Sequence, residues 1–172
     1  RHNLGRRAVA AAARASGAPD FRSERKSSSL ITTGQVAGHE VIFMLPETMM
    51  NNSGAAVSSY VDYEVPRERV VVVYDDVALP LGSVRISFDR GDGGHNGVAS
   101  ITERVGGADF IRVRLGVGPA PSSRDLSEFV LERFTPAEDE ALPAVVEQIP
   151  EILEAIIAEG LPSAMGRYNT NS

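Results

Sequence analysis

The sequence predicts an α/β fold, a single-domain layered sandwich in which helices flank a central sheet. Segments with strand-like alternation and segments with helical spacing follow one another along the chain. The run RVVVVYDD at residues 69–76 is typical of a strand that is buried on both faces of a sheet. A chain of 172 residues with 42% hydrophobic content suits one domain with a sizeable core, whereas two domains would be a tight fit.

The N-terminal quarter of the chain predicts a helix followed by a β-hairpin. Residues 4–16 are rich in alanine, which favours a helix. The polar stretch 22–29 is typical of a loop. Two apolar runs, 30–33 and 40–45, then predict hairpin strands that are joined by a turn at 34–38.

The rest of the chain alternates strands and helices. Apolar residues at helical spacing predict a helix over 53–63, with Asn51, Asn52 or Ser53 as its cap. The remaining elements are strands at 69–76, 83–88 and 110–117, a helix at 98–105, a Pro/Ser loop at 119–123, two acidic amphipathic helices at 136–148 and 150–159, and a C-terminal tail from about residue 160.

Composition excludes several kinds of site and partner. The chain has no cysteine, so disulfides, thiolate zinc sites and cysteine nucleophiles are excluded. No apolar run approaches the roughly 20 residues that span a bilayer, and we expect a soluble cytoplasmic protein without a membrane partner. The net charge of -6 is uneven, since residues 120–172 hold 10 acidic and 3 basic side chains. The acidity therefore belongs to the C-terminal part and leaves room for a basic, RNA-binding face elsewhere.

Two of the stretches that could carry chemistry follow predicted strands. GDGGHNGV at 91–98 sets a His-Asn pair among glycines, where the backbone can approach a ligand, although a turn with a capping Asn explains it equally well. In VVVVYDDVALPLG, Asp75 and Asp76 point to opposite faces of the strand, so one can aim into a site while the other is solvated or a cap. An Asp-Asp pair can bind Mg²⁺, but no phosphate-binding GxxxxGK[ST] loop accompanies it.

The other two stretches are PETMMNNSG at 46–54 and RHNLG at 1–5. In the first, Asn51 or Asn52 either caps a helix or contacts a ligand, and capping is the simpler explanation. In the second, His2 stands at a chain end, where a side chain is ordinarily frayed and inert. With no GxSxG or HExxH motif in the chain, the simplest chemistry is a His general base that activates water and is held by an Asp, while amide side chains position the substrate.

Taken together and in this order, RHNLG, PETMMNNSG, VVYDDVALPLG, GDGGHNGV and FIRVRLGVG resemble the bacterial-type peptidyl-tRNA hydrolase family. The likeness covers nearly the whole chain, and five ordered motifs with family-like spacing are highly specific. It implies one α/β domain over residues 1–172 with a mixed, mostly parallel central sheet. It also implies a monomer that needs neither metal nor other cofactor and that hydrolyses the ester between a peptide and the 3′-terminal ribose of tRNA.

The resemblance assigns roles to individual residues of the site. His2 matches the family's catalytic base, and Asp75 matches the carboxylate that orients it. Asn51 and Asn96 match two substrate-binding asparagines. Two further residues of the same motifs would line the crevice: Met50 and His95.

Three features depart from the family's pattern. The family's first strand and Gly-Asn-Pro-Gly turn precede RHN and are absent from this sequence, so we expect an N-terminal truncation. Asp92 stands where a histidine is usual. Ser87 stands where a lysine of the phosphate clamp is often found. Arg114, which matches a basic residue that grips a tRNA phosphate, would then share that task with Arg85 and Arg90.

A protein that keeps this fold and binds RNA without turnover is the main alternative to the hydrolase. A pure binding module has little reason to keep His2, Asp75 and both asparagines, and all four are present. A small-molecule esterase on a related scaffold is a third alternative, disfavoured by the basic positions and by the lack of a deep apolar motif. The sequence therefore predicts an enzyme.

Overall fold

The computed structural model describes residues 1–61, 64–120 and 125–169, in which helices surround two small sheets. The strands are β1 (Arg22–Glu24), β2 (Ser29–Val36), β3 (His39–Pro46), β4 (Val71–Pro80), β5 (Val84–Phe88) and β6 (Ile111–Gly118). The α-helices are α1 (Leu4–Ala15), α2 (Ser53–Val57), α3 (Asn96–Val105), α4 (Leu126–Leu131), α5 (Pro136–Asp139), α6 (Leu142–Glu147), α7 (Ile149–Ala158) and α8 (Leu161–Tyr168). Short 3₁₀ turns lie at Met50–Asn52 and Arg67–Arg69.

The strands form a mixed α/β architecture, as predicted, but they are not mostly parallel. One sheet has the order β1-β2-β3 and is antiparallel throughout. The other has the order β4-β6-β5, in which β6 runs parallel to β4 and antiparallel to β5. Short connections explain the difference, because a tight hairpin joins β2 to β3 and a three-residue link joins β4 to β5. The parallel pair β4 and β6 needs a long crossover, which β5 and α3 together supply.

The hairpin turn is tighter than predicted. Gly34 lies within β2, opposite Val41, and the chain reverses at Ala37 and Gly38, both with positive φ. A Cβ atom on Gly34 would collide with the Ser16 hydroxyl at the end of α1, so this glycine serves close packing of the hairpin against the helix. The predicted loop at 22–29 also contributes a short strand, β1.

Two apolar clusters hold β4 and β6 from opposite sides. The larger one packs α1, α6 and α7 against one face, with Leu4, Val113 and Ile152 among its fully buried members. The smaller one packs α3 against the other face through Val98 and Phe110. β6 is the central strand of its sheet, and each of its residues is buried. It therefore fixes β4 between α1 on one face and α3 on the other.

The helical segments are shorter and more numerous than predicted. The helix expected over 53–63 ends at Val57, and residues 62–63 lie outside the described parts of the chain. The helix expected over 136–148 is divided into α5 and α6, since Pro143 falls in the first turn of α6. α4 was not predicted. Of the loop expected at 119–123, residues 121–123 lie outside the description.

The segment expected to be a C-terminal tail contains α8. Asn169, just beyond it, exchanges two hydrogen bonds with the backbone of Ile86, at 2.8 Å and 2.9 Å, and so ties the segment to β5. Within the described residues, none of the helices combines the length and apolar character needed to cross a bilayer.

Candidate active site

The centre of the site is a hydrogen bond between His2 and Asp75. His2 precedes α1, and Asp75 lies midway along β4, in the part of the strand that pairs with β6. The Nδ1 atom of His2 is 2.8 Å from Oδ2 of Asp75, whose side chain is 2% exposed, while that of His2 is 20% exposed. A carboxylate can only accept, so Nδ1 carries the proton, and Nε2 of the neutral ring holds the free lone pair.

Gly5 explains how α1 brings His2 so close to the strand. A Cβ atom at this position would collide with the carbonyl oxygen of Val73 and lie 3.0 Å from Cα of Tyr74. The first turn of α1 therefore rests directly on the backbone of β4, one residue before Asp75. The glycine of RHNLG is required by this close approach.

His95 forms the second side of the site. It is the N-cap of α3, and its Nδ1 accepts a hydrogen bond from the backbone N–H of Val98 at 3.2 Å. Its proton must therefore sit on Nε2, which is 3.9 Å from Oδ1 of Asp75. The ring also lies edge-on to His2, with centroids 5.2 Å apart, and 4.8 Å from the ring of Tyr74. Each carboxylate oxygen thus faces a histidine N–H.

Asp75 is ionised in this environment. Burial alone would raise its pKa, but the hydrogen bond from His2 and the proximity of His95 outweigh burial and hold the pKa of Asp75 well below its usual range. A permanent negative charge beside His2 stabilises the imidazolium that forms when the ring takes up a proton.

The same three side chains are the candidates for holding a metal. Ligand atoms of His2, Asp75 and His95 lie within 4.8 Å of one another. Binding through Nε2 of His95 would require an unprotonated nitrogen, and the N–H of Val98 already claims the lone pair of Nδ1. This hydrogen-bond pattern favours proton transfer over metal binding.

Met50 and Asn51 lie on the 3₁₀ turn that follows β3. The Ser53 hydroxyl donates to the carbonyl of Met50 at 2.9 Å and closes this turn. Sδ of Met50 would lie 2.7 Å from a Cβ atom on Gly97, the second residue of α3, so the turn packs against the start of that helix. The Asn51 side chain is exposed at this junction.

Asn96 is also exposed, at the first position of α3. The capping role that a glycine-rich turn suggests for it belongs to His95 instead. Asn52 occupies the N-cap position of α2 without a side-chain cap hydrogen bond. The two predicted substrate-binding asparagines, Asn51 and Asn96, are therefore exposed to solvent and available to a ligand. They lie at the 3₁₀ turn Met50–Asn52 and at the start of α3, which contact each other.

Asp76 is neither solvated nor a simple cap, which corrects the expectation for the second carboxylate. Its Oδ1 accepts from the backbone N–H of Ala78 at 2.8 Å, and its Oδ2 accepts from Nε of Arg114 at 2.7 Å. The ion pair occupies the face of β4 opposite to Asp75. It leaves Arg114 only 9% exposed.

The predicted phosphate-binding arginines differ in exposure. Arg90 is exposed on the loop before His95, and Arg85 is half-buried on β5, directly across from Arg114 in the strand register. Arg112, two residues before Arg114 on β6, is completely buried. Its guanidinium donates to the carbonyls of Ala108, Phe110 and Arg90 and packs on the Phe110 ring at 4.1 Å. Arg112 therefore anchors the glycine-rich loop.

Comparison with known proteins identifies the family. The model of the family described as peptidyl-tRNA hydrolase matches residues 1–172. The peptidyl-tRNA hydrolase of Chloroflexus aggregans is 40% identical over 171 residues, 98% of this chain and 90% of that protein. The one from Mycolicibacterium smegmatis is 39% identical and covers 95% of this chain and 86% of its own length. A crystal structure of peptidyl-tRNA hydrolase from Acinetobacter baumannii gives a TM-score of 0.91 at 27% identity, over 99% of this chain and 86% of that one. The chain therefore belongs to the peptidyl-tRNA hydrolase family.

Proposed function

We propose that this chain hydrolyses the ester bond of peptidyl-tRNA, with His2 as the general base that activates water and Asp75 as the group that orients it. The single observation that carries the proposal is the 2.8 Å hydrogen bond from Nδ1 of His2 to the buried carboxylate of Asp75. It presents an unprotonated Nε2 on a partly exposed ring, which is what a base acting on a water molecule needs.

The proposed reaction proceeds through a tetrahedral intermediate. Nε2 of His2 takes a proton from water as the water oxygen attacks the ester carbonyl. The exposed amides of Asn51 and Asn96 can donate to the developing oxyanion or hold the peptide. Collapse of the intermediate breaks the bond to the ribose 3′ oxygen, which takes the proton back from His2. The products are a free tRNA and a peptide with a carboxylate end.

His95 and Met50 line the proposed crevice without taking part in proton transfer. The ring nitrogens of His95 are committed to the Val98 N–H and to the side facing Asp75. An ester has a better leaving group than an amide, so one base and a set of hydrogen-bond donors are sufficient without a covalent intermediate.

We assign tRNA phosphate binding to Arg90, Arg85 and Arg114. Exposure supports Arg90 most strongly, and the cross-strand position of Arg85 places a second cation beside Arg114. Arg114 can serve mainly by fixing Asp76 and the end of β4, with a small exposed part left for a phosphate. Both proposed catalytic residues, His2 and Asp75, come from one chain, so we propose a monomer, acting in the cytoplasm where its substrate is made.

Substitution of His2 tests the proposal directly. His2→Ala should abolish release of peptide from a model peptidyl-tRNA, such as N-acetylated aminoacyl-tRNA, while tRNA binding is retained. His39→Ala is the matched control, because His39 is exposed at the hairpin tip. Normal turnover by His2→Ala would exclude it as the base. Tight binding of tRNA by the unmodified chain without any turnover would indicate the RNA-binding alternative.

A further inference from the structure

Arg1, the residue before the proposed base, is an unusually enclosed cation. Its side chain is 4% exposed. Its guanidinium carbon lies 4.3 Å from the ring centroid of Phe129 and 4.8 Å from that of Phe134. Its Nη2 donates to the carboxylate of Glu138 at 2.9 Å. Two ring faces and one carboxylate thus surround the charge.

The backbone of the same two residues is bound to the same segment. The backbone nitrogen of Arg1 donates to the carbonyl of Glu132 at 2.8 Å, and that of His2 donates to the carbonyl of Val130 at 3.0 Å. Residues 129–138 therefore bind both the side chain of Arg1 and the main chain of His2.

The segment 129–138 is itself fixed at its C-terminal end, where α5 begins. Glu138 and Thr135 form a capping box at the start of α5, in which the Glu138 carboxylate accepts from the N–H of Thr135 at 2.8 Å. The Glu138 carboxylate therefore both caps the start of α5 and binds Arg1, so Arg1 is attached to a helix.

We infer that Arg1 is a positioning residue for His2, acting by locking residues 1–2 onto the segment 129–138. The inference rests on the proposed role of His2 as base. Gly5 sets the distance of α1 from the strand on one side of His2, and Arg1 fixes the chain on the other side. Because the chain is fixed on both sides of His2, the imidazole lies within hydrogen-bond distance of Asp75.

A direct role for Arg1 in gripping tRNA is not compatible with this environment. A phosphate would need an accessible guanidinium, and this one is covered and already bound to a carboxylate. The neighbouring pair Arg7–Asp139 joins α1 to α5 at 3.3 Å with side chains that are 47% and 58% exposed. An exposed pair of this kind contributes little and offers a matched control.

The test compares Arg1→Met and Arg1→Lys with Arg7→Met, and Glu138→Gln with Asp139→Asn, all in the full chain. Glutamine at 138 keeps the capping box and removes the charge that binds Arg1. The first readout is the slowly exchanging, downfield NMR signal of the His2 Nδ1–H proton, assigned by its loss in His2→Ala. The second is kcat and KM on N-acetylated aminoacyl-tRNA, and the third is Tm.

Arg1→Met and Glu138→Gln should lose or broaden the His2 signal and lower kcat by about 10- to 10²-fold with little change in KM, because a misplacement of ~1 Å costs up to that factor. Arg1→Lys, which keeps a cation, should retain part of the His2 signal and part of kcat. The controls Arg7→Met and Asp139→Asn should change neither the signal nor kcat. If Arg1→Met does not fold, Arg1→Lys and Glu138→Gln give the same comparison.

Three results would overturn the inference. One is an unchanged His2 signal and kcat in folded Arg1→Met and Glu138→Gln, with or without a lower Tm. Another is a raised KM at constant kcat, which would make Arg1 a substrate contact. The third is an equal effect of the Arg7 and Asp139 controls. If His2→Ala keeps full turnover, the proposed base fails, whereas the NMR signal still reports whether Arg1 positions the ring.

Discussion

Replacing Asp75 with asparagine changes the charge of the site at almost constant volume. In the native chain one carboxylate oxygen is 2.8 Å from Nδ1 of His2 and the other is 3.9 Å from Nε2 of His95. Both nitrogens carry protons, the second because the N–H of Val98 occupies Nδ1 of that ring. An amide has only one oxygen, so its NH₂ group must face one of the two histidines.

The two orientations of the amide predict different losses. If its oxygen faces His2, the ring keeps its tautomer and loses only the charge, which is about 1.5–3 kcal/mol or roughly 10- to 10²-fold in rate. If its NH₂ faces His2, Nδ1 must accept, the ring proton moves to Nε2, and general-base catalysis worth about 10²–10⁴-fold is lost. The second orientation gives the N–H of His95 an acceptor, so we expect it to prevail in Asp75→Asn.

Single-turnover hydrolysis of N-acetylated aminoacyl-tRNA, with enzyme in excess, measures the chemical step. Asp75→Asn should lower its rate by about 10²–10⁴-fold without weakening tRNA binding. Adding His95→Phe removes the N–H that attracts the amide oxygen, so the double variant should be faster than Asp75→Asn alone. A loss below about 10²-fold in Asp75→Asn, or a further loss in the double variant, would refute the reasoning.

Three other predictions concern the frame of the site. Gly5→Ala should push α1 from β4 by ~1 Å, cost about 1–3 kcal/mol in urea unfolding and lower kcat, whereas Gly166→Ala, with open space around it, should do neither. Because the folded pKa of Asp75 is depressed, its contribution to stability is full above its unfolded pKa near ~3.9 and is lost as pH falls through the folded value. The unfolding free energies of the native chain and Asp75→Asn should therefore approach each other as the pH falls below ~4, and a constant difference would contradict this. Arg90→Gln should reduce the slope of log affinity for tRNA against log salt by about 1, and an unchanged slope would remove Arg90 from the phosphate contacts.

Local chemistry was sufficient to predict most of the elements. The alanine-rich run formed α1, the alternating run formed β6, and the valine run formed β4 with Asp75 and Asp76 on opposite faces, as strand geometry requires. Helix lengths were less predictable. Residues 140–141 separate α5 from α6, just before Pro143, and α2 ends early. Both boundaries depend on packing that periodicity does not describe.

The partners of the charged residues could not be predicted from local pattern. Arg112 and Arg114 alternate with apolar residues, a pattern that is equally compatible with a solvent-facing basic stripe and with a buried sheet face. The outcome depends on acceptors elsewhere in the chain, which are the Arg90 carbonyl for Arg112 and Asp76 for Arg114. A buried arginine is tolerated only where such acceptors converge.

The same reasoning explains why RHNLG is uninformative when it is considered alone. The bond from His2 to Asp75 joins residues 73 positions apart, and that from Arg1 to Glu138 joins residues 137 positions apart. Gly5 has meaning only against the backbone of β4. A frayed histidine and one that is fixed in place as the proposed base therefore have the same local sequence. What distinguishes them is whether distant residues supply a carboxylate, a close strand and an aromatic contact. The ordered motifs are more specific than RHNLG alone because they include residues that contact His2 from distant positions in the chain, such as Asp75 and His95.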